Sequence, residues 1–209
     1  MGLCARLSEA QKKAFNQAGD LEFYAELDLT APAARGLCGQ MNAFVRKEVR
    51  PQLGRQSAGG PGLVCPSEQA LGAALSQWLG EVRQLALQRV ELYLSGGARP
   101  PEDPRGGFRL EVAYDYHTDF DLFERVLRAC GDWEQWAPRL APTPVAYLWG
   151  DEEALAGAKN SWEQSESREG LRRHHALADA RALAYAFEAV HGGPSSESSD
   201  GAPPSPAAR

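Results

Sequence analysis

LRRHHALADARALAYAFEAV, residues 171 to 190, is the stretch on which the reading of this chain turns. Ala176, Leu177, Ala180, Leu183, Ala184, Phe187 and Val190 recur at three- and four-residue spacing, the pattern of a helix with one buried face. Asp179 falls in the first turns of that helix. Five residues at about 100° each would set a helical His174 about 140° away from Asp179 around the axis. The two groups share a cleft only if His174 lies in the entering loop. A carboxylate there can bind a metal, and a histidine beside it can take a proton from water at neutral pH. The same residues equally suit a solvated histidine among arginines and an aspartate that serves the helix dipole.

The 209 residues suit one domain with appendages, and 43% hydrophobic content is enough for a core. A net charge of −6 argues against wrapping a long duplex by charge alone. It does not argue against a nuclease, whose acidic groups are offset by the cations they hold. Cys4, Cys38, Cys65 and Cys130 are scattered, with no C-x-x-C pair. That spacing suggests neither a zinc site nor a disulfide framework, and it fits a reducing cytoplasm. No apolar run approaches the roughly 20 residues of a membrane span, and no signal-peptide core stands at the N-terminus.

Along the chain, Ser8 to Gln11 has capping-box form and predicts a short helix to about Gln17. Leu21 to Leu29 alternates as a strand. Leu37, Met41, Phe44, Val45 and Val49 trace a helical face up to Pro51. Pro66-Ser67-Glu68 opens a helix that buries Leu71, Ala74, Leu75, Trp78, Leu79 and Val82. Arg89 to Ser95 and Arg109 to Tyr114 read as strands. Thr118 to Asp121 forms a second capping box, with Phe120, Phe123, Val126 and Leu127 on the inner face of its helix. Pro144 to Trp149 predicts a further strand and Asp151 to Trp162 a helix. The expected organisation is an atypical segment 1–20, a domain 21–191 with Gly/Pro-rich loops 54–63 and 96–107, and a tail 192–209 too poor in apolar groups to fold. Strands alternating with helices argue an α/β domain.

Val112 to Asp119, VAYDYHTD, runs off a strand end into a helix. Ligands bind at strand ends in α/β sheets, and Asp115 and Asp119 could overhang that edge. The plainer alternative makes Asp115 a turn former and leaves Asp119 and Asp121 to the helix N-terminus.

His174-His175-Ala176-Leu177-Ala178-Asp179 resembles the H-x-A-x-x-D motif of the DEDD-type 3′–5′ exonucleases of the histidine subclass. The DYHTDFDLF segment is similar to the family's second motif, in which a metal-binding aspartate follows a strand. Asp119 matches that aspartate, and Asp115 is the second choice. Glu22 to Glu26 and Phe44 to Leu53 resemble the third strand and following helix of a small bacterial exoribonuclease subgroup, whose known member degrades poly(A). The resemblance covers roughly residues 22 to 190. It implies a ribonuclease H-like mixed sheet flanked by helices. It further implies an exonuclease acting on the 3′ end of single-stranded RNA with two Mg2+ or Mn2+ ions. His174 would be the general base and Asp119, Asp179 and Asp115 the metal ligands. Arg172 and Arg173, and also Arg168, would attract the RNA backbone, although such a run equally suits a solvated face. Tyr116 and Tyr114 would stack a terminal base, and Phe120 fits the core better. The assembly is left open to a homodimer.

The family's first motif, D-x-E, has no good counterpart. Asp20-Leu21-Glu22-Phe23 spells it, but Asn16 to Gly19 do not read as a buried strand. Two ions about 4 Å apart need several carboxylates. The expectation is therefore either a truncated form that lacks the first strands of the sheet or a degenerate relative. The alternative function is a non-catalytic exonuclease-like module that binds RNA or protein.

Overall fold

The computed structural model describes residues 1–5, 21–32, 41–53, 62–95, 109–145 and 175–191, and five positions between 153 and 164. Among the described residues it is a mixed α/β arrangement of helices and two small sheets. Strands β1 (Gly2–Ala5), β2 (Leu21–Leu27) and β3 (Leu63–Cys65) form the first sheet in that order. β1 runs antiparallel to β2, pairing Gly2 with Tyr24 and Ala5 with Leu21. The ladder continues through Met1, whose carbonyl accepts the Ala25 N–H at 2.9 Å. β3 runs parallel to β2, pairing Ala25 with Leu63.

The alternation of β2 separates its two faces. Phe23 and Ala25 are buried in the main core, where Phe23 tilts against Trp78 at 5.8 Å. Glu22, Tyr24 and Glu26 occupy the other face by period. After β2 the chain turns on Asp28, whose side chain accepts the Thr30 N–H at 2.8 Å and the Thr30 hydroxyl at 2.6 Å. These bonds hold the Asp28 carboxyl below its ordinary pKa.

Helix α1 spans Glu68–Ser95. The Ser67 hydroxyl caps it by accepting the Ala70 N–H at 3.2 Å. Leu71, Leu75 and Leu79 recur every four residues and are buried. The strand expected over Arg89 to Ser95 is instead the last part of this helix. No proline or glycine follows Gly80 within it, so nothing breaks the helix before Gly96.

β4 (Leu110–Tyr114), helix α2 (His117–Cys130) and β5 (Leu140–Pro144) form a β-α-β unit, the two strands pairing in parallel from Leu110–Leu140 to Tyr114–Pro144. Of the strand expected over Pro144 to Trp149, Pro144 closes β5, Val145 is helical, and the rest lies outside the described residues. Pro142 and Pro144 fall on alternate residues, which leaves the donors between them for β4. The Thr118 to Asp121 capping box is not formed either. α2 starts two residues earlier, with extended Tyr116 in place of Thr118 as N-cap and no side-chain cap bond. Phe123, Val126 and Leu127 are buried as expected, and Phe120 stacks on Tyr114 and Phe123 at 5.3 and 5.7 Å. α2 ends at Gly131 (φ 88°), a left-handed position that suits glycine.

Between α2 and β5, Trp136 is 2% exposed and donates its indole N–H to the Ser76 hydroxyl of α1 at 2.8 Å. Ser76→Ala leaves that buried donor without its acceptor. It should cost about 1–3 kcal/mol in chemical denaturation. An unchanged midpoint would mean that water takes over the bond.

Helix α3 spans Ala176–His191 and packs on β1 and β2. Its Leu177, Ala178 and Ala182 form a second buried cluster against Tyr24. β1 places a strand at the start of the segment 1–20, where the sequence reading expected none. The expected helical face before Pro51 is, in its described part, a π-helical turn Val45–Val49 followed by a 3-10 turn Arg50–Gln52. The helix over Ser8 to Gln17, Asp20, loop residues 54–61 and 96–107, Ala146 to Trp149 and the tail 192–209 lie outside the described residues, as does most of 151–162. No described helix is long and apolar enough to cross a membrane.

Candidate carboxylate site and adjoining cavity

Two helix starts carry the predicted carboxylates. At the first, Asp115 is half-buried in the turn after β4 and Tyr116 is 67% exposed. Asp119 is exposed in the first turn of α2, its N–H bonded to the Tyr116 carbonyl at 2.9 Å. At the second, Asp179 is exposed in the first turn of α3, its N–H bonded to the His175 carbonyl at 2.9 Å. Each aspartate thus meets the positive end of its helix. His174, Arg168, Arg172 and Arg173 lie outside the described residues.

A cavity of about 270 Å3 has walls from both helix starts. Leu122, one turn beyond Asp119, lines it from α2; His175 and Ala176, one turn ahead of Asp179, line it from α3. Tyr24, Glu26, Arg50 and Gln52 also line it. Asp115, Asp119 and Asp179 do not form part of its wall.

Three wall residues were not singled out from sequence as site groups. His175 is 3% exposed and stacks on Tyr24, with ring centroids 4.6 Å apart and planes at 30°. The Tyr24 hydroxyl donates to the Glu26 carboxylate. Gly62 leaves no spare room beside that ring, since a Cβ there would stand 2.6 Å from Tyr24 Cδ1. Neighbouring histidines look alike in sequence, and only the tertiary fold says that His175 is interior. Tyr24 and Glu26 could have been placed on the face opposite Phe23 by the two-residue period of the strand.

Burial, reinforced by the bond to Glu26, raises the Tyr24 phenol above its ordinary pKa of 10.0. Below that pH both folded and unfolded chains keep the phenol neutral, and its full contribution to stability is present. Above it the unfolded chain loses the proton first, so stability falls as pH rises past 10. Among the six tyrosines, tyrosinate absorbance should show a late-titrating member that Tyr24→Phe removes. Its survival in that variant would refute the assignment.

Glu22, the sequence's candidate for a first-motif carboxylate, is already engaged. Arg181 of α3 grips it with two bonds, Nε to Oε1 at 2.5 Å and Nη2 to Oε2 at 2.7 Å. Such a bidentate pair fixes geometry as well as charge. It ties the second turn of α3 to β2 and commits both Glu22 oxygens.

Asp119 and Asp179 offer the hard oxygen donors that Mg2+ and Mn2+ take. Among the described residues no group of three or more His, Cys, Asp or Glu side chains stands close enough to hold a metal ion. On these residues the donor set is partial. No family model, curated protein or solved structure matches the chain.

Proposed function

We propose that the chain is a metal-dependent 3′–5′ exoribonuclease of ribonuclease H-like architecture, acting in the cytoplasm on the 3′ end of single-stranded RNA. The observation that supports this reading is that Asp119 and Asp179 each stand in the first turn of a helix that also lines one cavity, although neither aspartate joins its wall. In this reading Asp119 and Asp179, with Asp115 in reserve, bind Mg2+ or Mn2+. When bound, the ions supply Lewis-acid stabilisation of the scissile phosphate. His174 takes the proton of the attacking water. Arg172 and Arg173 hold the RNA backbone by charge, and exposed Tyr116 offers a ring to the terminal base.

One observation favours the second reading, a non-catalytic exonuclease-like module that binds RNA or protein. Both oxygens of Glu22, the candidate for the first motif, are taken by Arg181. Incubation of the full chain with a 5′-labelled oligoribonucleotide separates the two. The enzyme shortens the RNA from its 3′ end, needs Mg2+ or Mn2+, and stops on chelation. Metal-insensitive binding without shortening would leave the second reading alone.

A further inference from the structure

We infer that His175, the neighbour of the proposed general base, is a positioning residue that sets Asp179 through the first hydrogen bond of α3. The role assigned to Asp179 rests on the exonuclease reading; the mechanical linkage does not. His175 is 3% exposed, so its ring is shut off from the bulk water that a general base would need to reach. Its backbone and its ring do different jobs. The carbonyl accepts the Asp179 N–H at 2.9 Å. The ring lies on Tyr24 in the central strand at 4.6 Å, and Tyr24 is held in turn by its bond to Glu26 and by the backbone of Gly62.

Asp179 is itself exposed and its side chain packs in neither buried cluster. The backbone of the helix start sets where its Cα stands. That backbone is fixed on two sides of the aspartate, by the His175–Tyr24 stack four residues before and by the Arg181–Glu22 fork two residues after. Both anchors reach the same face of β2, at Glu22 and Tyr24. A helix N-terminus has no intrahelical bonds for its first N–H groups and frays unless something outside it holds it. His175 supplies that hold, and adjacent His174 can carry out chemistry because its neighbour carries the packing.

The test uses the full chain with His175→Ala, His175→Phe and Tyr24→Leu. Hydrogen exchange of the Asp179 amide reports the linkage with no substrate present. Exchange should speed up several-fold in His175→Ala and Tyr24→Leu and stay near the parent rate in His175→Phe, which keeps a flat ring on Tyr24. The Mn2+ concentration for half-maximal RNA shortening should rise about 10- to 100-fold in His175→Ala. The rate at saturating Mn2+ should hold, and His175→Phe should rescue the midpoint. A His175→Phe chain as impaired as His175→Ala at saturating Mn2+ would show that the imidazole itself reacts and would overturn the inference. Unchanged Asp179 exchange in both His175→Ala and Tyr24→Leu would overturn it too, and either variant suffices if the other fails to fold. Should the parent chain shorten no RNA, the exonuclease reading falls, and amide exchange still decides the linkage.

Discussion

Gly72→Ala is expected to destabilise the fold by about 3 kcal/mol or more, a large part of the 5–15 kcal/mol typical of a domain. α1 crosses α2 at this residue with no side chain between them. A Cβ on Gly72 would stand 1.9 Å from the Val126 carbonyl oxygen and 2.8 Å from its carbon. Neither atom can swing aside, because both belong to the backbone of α2. The helices would have to part, opening the contacts of Leu71, Leu75, Val126 and Leu127, all of them buried. Gly80 is the built-in control, since it lies in the same helix and a Cβ there meets nothing within 4 Å. Gly80→Ala gains helix propensity and should stabilise by about 0.5–1 kcal/mol. Urea denaturation of the two variants should therefore move in opposite directions. Equal shifts would mean that the helices do not touch at Gly72.

Asp179→Asn and Asp119→Asn are expected to lower the rate of RNA shortening at least about a hundredfold each, with little effect on folding. On the proposed exonuclease reading, the substitution keeps shape and removes the charge that would bind the cation. Lewis-acid stabilisation of a phosphate transition state amounts to several kcal/mol, and each 1.36 kcal/mol is tenfold in rate. Both side chains are exposed in first helical turns. There the lost charge–dipole interaction costs only about 0.3–1 kcal/mol of stability. Rates at fixed Mg2+, read beside denaturation midpoints, separate the two effects. Near-parent activity in either variant would remove that aspartate from the site. A large loss of stability would make it a structural residue instead.

The part of the fold legible in the sequence is the part governed by local periodicity. Phe123, Val126 and Leu127 announce the inner face of α2, and Leu71, Leu75 and Leu79 that of α1. Ser67 marks the start of α1 through its hydroxyl. Boundaries set by competition between elements are less legible. Arg89 to Ser95 alternates enough to pass for a strand, yet it continues a helix already nucleated, and extending a helix costs less than starting a strand afresh. Leu140 to Pro144 carries two prolines, which argue against a strand in an isolated pattern, yet pairing along one edge tolerates them. β1 is only four residues long, and its pairing with β2 is what makes it a strand.

For the candidate site, local sequence was enough to put Asp119 and Asp179 in first helical turns, since a helix start depends on residues within a few positions of it. Local sequence does not carry distance between remote segments. That Leu122 and His175 wall one cavity, that Arg181 claims Glu22 from 159 positions away, and that His175 lies under cover against Tyr24 follow from how α3 packs on β2 while α2 packs on α1, which itself covers β2. By itself the sequence determined an α/β chain with two acidic helix starts and a histidine pair. Only the tertiary structure decided that His175 is interior and that Glu22 is paired with Arg181. The physical reason is that burial and ion pairing belong to surfaces, and those surfaces exist only once distant segments have closed on each other.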